Sequence, residues 1–391
     1  MENSQKGTLR QTILAILLTL LLVVLSFAAG VLASNYLPIF FSVGNYPQVN
    51  QTISLLKEYF YGQMPEKQDL QYGMIHGMLQ KVGDPYTILV EPVQNELQTN
   101  QLSGSYGGLG ARLEWNDEGQ LLLYPFPDSA AQKGGVQDGD RLLAVDDLQI
   151  QPSLSTEEIQ AAIRGEVGSK VQITIIRPPS DEEIVLEVVR EEVALPSTTW
   201  NLTSQNDKVG IIQINVIAAT TPDEVRNAVD DLLQQGAQYF ILDLRNNSGG
   251  LLDAGTETAG LFLKAGVVIE EQYRGKPVDQ IGTEQDGPYI DLPLAVLINQ
   301  NSASAAEIIA GALKGRQRAE LIGTPSYGKD TIQLVFDLHD GSSVHVTTAQ
   351  WWIPGLGYSI HEQGLQPDIV VSDQDTDSQA GVAAAIQQLL Q

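Results

Sequence analysis

The chain has 391 residues, carries a formal net charge of -26 and contains no cysteine. Its length suits two or three domains of about 100 to 200 residues each. The acidic balance excludes the basic footprint that nucleic-acid binding needs, and the lack of thiols excludes disulfides, thiolate catalysis and Cys-based metal sites.

Thr12 to Ala33 is uncharged and almost wholly apolar, long enough for the about 20 residues a helix needs to cross a bilayer. Lys6 and Arg10 precede it and the next basic residue is Lys57. The positive-inside rule then leaves the tail in the cytoplasm and everything after residue 34 outside. The run exceeds the about 7 to 15 residues of a signal-peptide core, which favours an uncleaved single-pass anchor.

Residues 35–97 read as a small helical segment. Val49, Ile53, Leu56 and Phe60, then Leu70, Met74, Ile75 and Met78, recur at helical spacing. Each apolar face needs a partner, either the main body or a second subunit in a homodimer. Gly83, Asp84 and Pro85 signal a turn.

Over residues 98–192 the texture changes to short strands with glycine-rich turns. Gly107, Gly108, Leu109 and Gly110 form one such loop, and GGVQDGDRLLAVDD follows downstream. This order resembles a PDZ domain. A loop of that kind turns backbone N–H groups toward a peptide's terminal carboxylate while an exposed strand edge takes the peptide as an extra strand. Ile159, Ala162 and Ile163 predict its main helix and Val171 to Ile176 a closing strand, with a hairpin turn at Pro178, Pro179 and Asp181 to Glu183. Pro196 to Asn206 reads as a linker.

From Val209 strands and helices alternate, which predicts an α/β domain with largely parallel central strands over residues 193–375. Strands are expected at 209–216, 238–244 and 294–298, helices at 222–235 and 252–263, and a hairpin at 331–350. The polar loop Arg245 to Gly250 leaves one strand end, where sites in such sheets gather. A C-terminal helical tail occupies 376–391.

Ser304 stands where the strand Leu294 to Ile298 gives way to a helix, with Glu307 three residues on. Such a serine either caps its helix or acts as an acyl-transfer nucleophile, since unpaired N–H groups and the helix dipole favour negative charge there. The four histidines lack a zinc-binding pattern and no G-x-S-x-G surrounds Ser304. His345 is the best placed for a Ser-His-Asp arrangement. Lysine is the stronger base candidate, because burial disfavours its charged form and lets it take a serine's proton. Lys329, Thr331 and Gln333 fall on one face by strand alternation.

The segments NQNSASAAEIIAGALKG, GTPSYGKDTIQ and DLRNNSGG, with the PDZ-like region before them, resemble the carboxy-terminal processing peptidases, tail-specific serine proteases of the S41 type. The resemblance implies an α/β protease core of crotonase or Clp-like type with an inserted PDZ domain. It implies Ser304 as nucleophile, Lys329 as general base, Gln333 as the residue orienting that lysine, and Gly250 and Ala305 as oxyanion-hole donors. It implies Arg164 as a sensor of PDZ occupancy, protein substrates with apolar C-termini, and neither cofactor nor metal. Ala306 and Ser248 replace the usual serine and proline. Asp330 replaces a glycine beside Lys329, where a carboxylate would hold the amine charged; a catalytically silent PDZ adaptor binding envelope proteins is the alternative this raises.

Overall fold

In the computed structural model, residues 46–180, 182–371 and 379–391 are described. The anchor segment Thr12 to Ala33 and Asp181 of the predicted hairpin turn lie outside them. Among the described residues no helix is long and apolar enough to cross a membrane. The chain divides near residue 74 into two units. The first contributes helix α1 (Pro47–Tyr59), which has no buried residue, and the start of α2 (Lys67–Val82).

The second unit carries everything else. The expected helical segment ends in a short strand, β1 (Ile88–Val90), and α3 (Pro92–Ser103) follows. The three residues of β1 are too few for a periodic signal, and they are fixed by pairing with a strand more than 250 positions away.

The PDZ-like module stands on a two-stranded stalk, β2 (Ser105–Gly108) with β9 (Glu191–Ala194). Its sheet runs in the order β3 (Ala111–Trp115), β4 (Leu121–Pro125), β5 (Asp140–Val145), β7 (Lys170–Ile176), β8 (Glu183–Val189), with β6 (Leu148–Gln149) on β5. A single-turn α4 (Ala130–Lys133) links β4 to β5, and α5 (Thr156–Ile163) is the predicted main helix. Ser155 and Glu158 close a capping box on it, the Glu158 N–H donating to Ser155 Oγ at 3.2 Å and the Ser155 N–H to Glu158 Oε2 at 2.8 Å. Ile159 and Ile163 bury against Leu123, Leu142 and Ile173. Among the described residues the outer edge of β3 has no partner strand.

The α/β core has a six-stranded sheet in the order β10 (Thr198–Thr203), β11 (Asn206–Ile214), β12 (Tyr239–Asp243), β15 (Leu294–Ile298), β16 (Glu320–Gly323), β19 (Ile369–Val370). All neighbours are parallel except β10, which runs antiparallel to β11. Here the expected linker at 196–206 is instead this edge strand: Thr199 and Asn201 face water, while the buried hydroxyls of Ser197 and Thr198 donate to Glu224.

Helices α6 (Thr221–Gln234), α7 (Leu252–Gly260) and α8 (Ala305–Gly315) cover one face and α9 (Gln379–Leu389) the other. Strand alternation sorts the two cores. Phe240, Leu242, Val296 and Ile298 point to the first, Ile241, Ala295 and Leu297 to the second. Burying each such large side chain is worth roughly 1.5–3 kcal/mol. The tail helix therefore covers a sheet face through Ala385 and Ile386.

A second sheet sits beside this layer, ordered β1, β18 (Ser343–Trp352), β13 (Gly266–Tyr273), β14 (Asp279–Thr283), with β17 (Thr331–Asp337) paired along β18. The hairpin β17–β18 follows the sequence expectation, whereas β13 and β14 were not anticipated. Ile332 and Gln333 pair with Ala349 and Thr347, so the extra residue of this ladder is Thr348, and the bulge lies in β18.

Candidate active site

Two loops leave the carboxyl ends of the adjacent parallel strands β12 and β15, and they are laced together. The Asn246 N–H donates to Asn299 Oδ1 at 3.0 Å, and Asn246 Oδ1 accepts from the Asn299 and Asn301 amides at 2.9 Å each. The Ala303 N–H donates to the Asn247 carbonyl at 2.9 Å, and the Ser302 hydroxyl to the Leu244 carbonyl at 2.8 Å. These asparagines do for the loops what a sheet ladder does for strands: each buried polar group finds a partner.

The chain thereby reaches Ser304 at φ 54° and ψ -120°, a conformation sparsely populated by non-glycine residues. Strain of this kind costs about 1–3 kcal/mol and persists only where the surroundings over-determine it. The half-buried side chain of Ser304 faces a cleft of about 380 Å³. Gly249, at φ 105°, lies so close that a Cβ on it would stand 2.9 Å from Ser304 Cβ and 2.8 Å from the Ala303 carbonyl oxygen. The backbone N–H groups of Gly250 and Ala305 also open on this cleft, and neither has a hydrogen-bond partner among the described residues. That leaves one donor just ahead of α7 and one on the first residue of α8, and partial positive charge gathers at helix starts.

Glu307 is the residue that sequence reasoning undervalued. It is fully buried in the first turn of α8, and its carboxylate does more than return to its own cap. Oε2 accepts from the Ser304 N–H at 2.8 Å and from the Lys329 N–H at 2.9 Å, while Oε1 accepts from the Gly328 N–H at 2.7 Å and the Ser326 hydroxyl at 2.6 Å. One carboxylate oxygen thus joins the backbones of two residues 25 positions apart. Burial pushes the Glu307 pKa up, and these four donors pull against it. Its only trace in the sequence was the capping-box spacing.

Lys329 lines the same cleft, with Gln333, Thr331 and His345. Burial holds its amine below the ordinary lysine pKa, opposed by the carboxylates of Glu307 and Asp84. Its Nζ makes no hydrogen bond among the described residues; it lies 4.9 Å from the centre of the Tyr86 ring. The Gln333 amide donates to Thr331 Oγ1 at 2.9 Å and Thr347 Oγ1 at 3.2 Å, and makes no hydrogen bond to Lys329. Ile332 lines the cleft beside Thr331 and Gln333.

Asp330 does not act on Lys329 as its position suggested. Its carboxylate is 2.9 Å from His361 Nδ1 and its carbonyl accepts from the Trp351 N–H at 2.9 Å. His345 lies in the cleft with its Nε2 buried and without a hydrogen-bond partner among the described residues. Burial and the nearby Lys329 both lower its pKa.

In the PDZ-like module Gly107 and Gly108 belong to β2 and face Glu192 and Glu191 across the stalk. Leu109 and Gly110 form the turn beyond it, and their N–H groups have no partner among the described residues. The turn, the open edge of β3 and α5 enclose a groove lined by Leu113, Phe126, Ile163 and Arg164. The Arg164 guanidinium stacks 4.6 Å from the Tyr106 ring centre and donates to Gln160 Oε1 at 3.0 Å. Helix α3 packs on α5 and also contributes Gln98, Gln101 and Leu102 to the Ser304 cleft, a link the sequence did not reveal. Burial pushes the pKa of Glu96 on that helix up, opposed by Arg164 and Arg190.

A profile of peptidase family S41 matches residues 208–371 and a PDZ-domain profile matches 125–177. The carboxyl-terminal-processing protease of Picosynechococcus sp. is 36% identical over 320 residues, spanning 81% of this chain and 77% of that protein. The chain belongs to peptidase family S41. The carboxyl-terminal-processing protease of Synechocystis sp. is 34% identical over 321 residues, 81% of this chain and 74% of its own length. Carboxy-terminal processing protease CtpA of Bacillus subtilis is 31% identical over 325 residues, 83% of this chain and 68% of its own. This S41 peptidase is a serine protease with a PDZ domain, and Ser304 and Lys329 lie within the matched residues.

Proposed function

We propose that this peptidase processes protein carboxyl termini with Ser304 as nucleophile and Lys329 as general base. The observation carrying this reading is the single Glu307 oxygen that joins the Ser304 and Lys329 backbones beside the two unpaired N–H groups of Gly250 and Ala305. Neutral Lys329 takes the proton as Ser304 Oγ attacks the scissile carbonyl carbon, and the Gly250 and Ala305 N–H groups receive the developing oxyanion. The tetrahedral intermediate then collapses, the C–N bond breaks, and the lysine returns the proton to the leaving amine. Water hydrolyses the acyl-enzyme by the same route. The unformed Ser304–Lys329 hydrogen bond does not oppose this, because catalytic contacts in unliganded enzymes often tighten only with substrate bound.

Substrates are proteins with apolar C-termini: the Leu109 and Gly110 N–H groups bind the terminal carboxylate, and the chain adds to the open edge of β3. Arg164 reports that occupancy to the cleft through α3. The apolar segment Thr12 to Ala33 anchors the protein, with the catalytic part on the extracytoplasmic side. The apolar faces of α1 and α2 serve a homodimer.

The test is cleavage of a protein with a non-polar tail. Ser304→Ala and Lys329→Ala should each abolish cleavage while circular dichroism stays native; retained cleavage in either removes the dyad. Arg164→Ala should change the rate without altering labelling of Ser304 by a small fluorophosphonate. Alkaline carbonate extraction of membranes checks the anchor, and release into the supernatant would refute it.

A further inference from the structure

The turn Gly83 to Thr87, plain in the sequence, reaches Lys329 from outside the protease core's own segment. Its Asp84 accepts from the Tyr86 N–H at 3.2 Å and from the Thr87 hydroxyl. Thr87 Oγ1 in turn accepts from the Thr347 N–H on β18 at 3.1 Å, and Thr347 Oγ1 receives the Gln333 amide at 3.2 Å. A turn fixed in this way has little freedom, and it presents the Tyr86 ring to Lys329 Nζ at 4.9 Å from the ring centre. Burial and the neighbouring Tyr327, two residues before that lysine, raise the Tyr86 pKa and keep its hydroxyl protonated. A cation this close to an aromatic face is attracted to the ring quadrupole, whereas a neutral amine gains far less.

From this geometry we infer that Tyr86 is a positioning residue for the base: its ring holds the Lys329 ammonium away from Ser304 until substrate arrives. The inference rests on Lys329 being the base. Other groups facing the amine are Glu307 on α8, Asp84 in the same turn and His345 on β18, while the neighbouring Asp330 is engaged by His361. The sign follows directly. A ring that favours the charged form raises the lysine pKa, so the pH at which the neutral base appears rises with it. A desolvated cation–ring contact is worth about 1 kcal/mol and one pKa unit about 1.4, so the shift is about half to one unit.

The experiment measures the second-order rate of Ser304 labelling by a fluorophosphonate against pH, on the full chain. In Tyr86→Leu, which keeps an apolar wall without the quadrupole, the acidic limb should move down by about half to one unit, three- to tenfold faster labelling below the limb. Tyr86→Phe should leave the limb in place. Tyr86→Trp, the stronger cation acceptor, should move it upward, and it carries the test should Tyr86→Leu fail to fold. A limb unmoved in both Leu and Trp variants, with rates lower at every pH, would mean that Tyr86 is only structural. A Phe variant shifted as far as Leu would assign the effect to the hydroxyl and overturn the role of the ring. Lys329→Met separates the two levels: if labelling persists with its limb intact, the base assignment falls and the Tyr86 role with it, whereas loss of labelling alongside an unmoved Tyr86→Leu limb refutes the Tyr86 role alone.

Discussion

Replacing Glu307 by glutamine keeps the side chain's shape and removes one acceptor. The carboxylate holds two donors on each oxygen, at 2.8 and 2.9 Å on one and 2.7 and 2.6 Å on the other. An amide must turn its NH2 toward one of these pairs. Facing Ser304 and Lys329, it would leave two backbone N–H groups against a donor. Facing Gly328 and Ser326, it leaves one, because the Ser326 hydroxyl can rotate to accept. The second choice is cheaper, at about 1–3 kcal/mol for a single buried unsatisfied group. It also keeps Ser304 and Lys329 on a common oxygen, so Glu307→Gln should fold, lose about 1–3 kcal/mol in urea denaturation and label Ser304 measurably more slowly. Glu307→Ala strips all four bonds in a fully buried site, and even a displacement of about 1 Å between the proposed nucleophile and base would cost on the order of a hundredfold. Urea titration with fluorophosphonate labelling of both variants tests this. Wild-type labelling rates in Glu307→Ala would refute the view that this carboxylate sets the catalytic geometry.

Gly249→Ala should reduce labelling of Ser304 by at least tenfold, because a Cβ there meets the Ala303 carbonyl oxygen at 2.8 Å and Ser304 Cβ at 2.9 Å in a backbone conformation at φ 105°; unchanged labelling would show that the loop yields freely. His361 has its pKa raised by Asp330, so its contribution is full below the unfolded value of about 6.5 and is lost as pH rises through the folded value. The melting temperature of wild type relative to His361→Gln should therefore be highest near pH 5 and converge in mildly alkaline buffer, and a difference independent of pH would refute the pairing.

The order of elements in the core was legible because each central strand is short, continuous and apolar, as Leu294 to Ile298 is, and each helix follows with its own cap or periodic face. Ser304 and Lys329 were legible for a similar reason: each sits at an element boundary, beside residues whose types have few other uses there. Glu307 was visible only as a cap because spacing of three reports a local bond, and its bonds to Ser326, Gly328 and Lys329 depend on where a distant loop comes to rest. Strand β1 and the edge strand β10 escaped detection because pairing partners, not periodicity, define them.

By itself the sequence determined the alternation of strands and helices, the peptide-binding module ahead of the core, and a serine placed at a strand-to-helix junction with a lysine downstream. These are local properties, set by side-chain period, turn chemistry and charge within a few residues. Only the tertiary structure decided that Asp330 turns to His361, that Gln333 turns to Thr331 and Thr347, and that the Lys329 amine rests on Tyr86. Each of those outcomes is a choice among partners brought together by packing, and the choice is settled by burial and hydrogen-bond geometry between segments that the chain order keeps far apart.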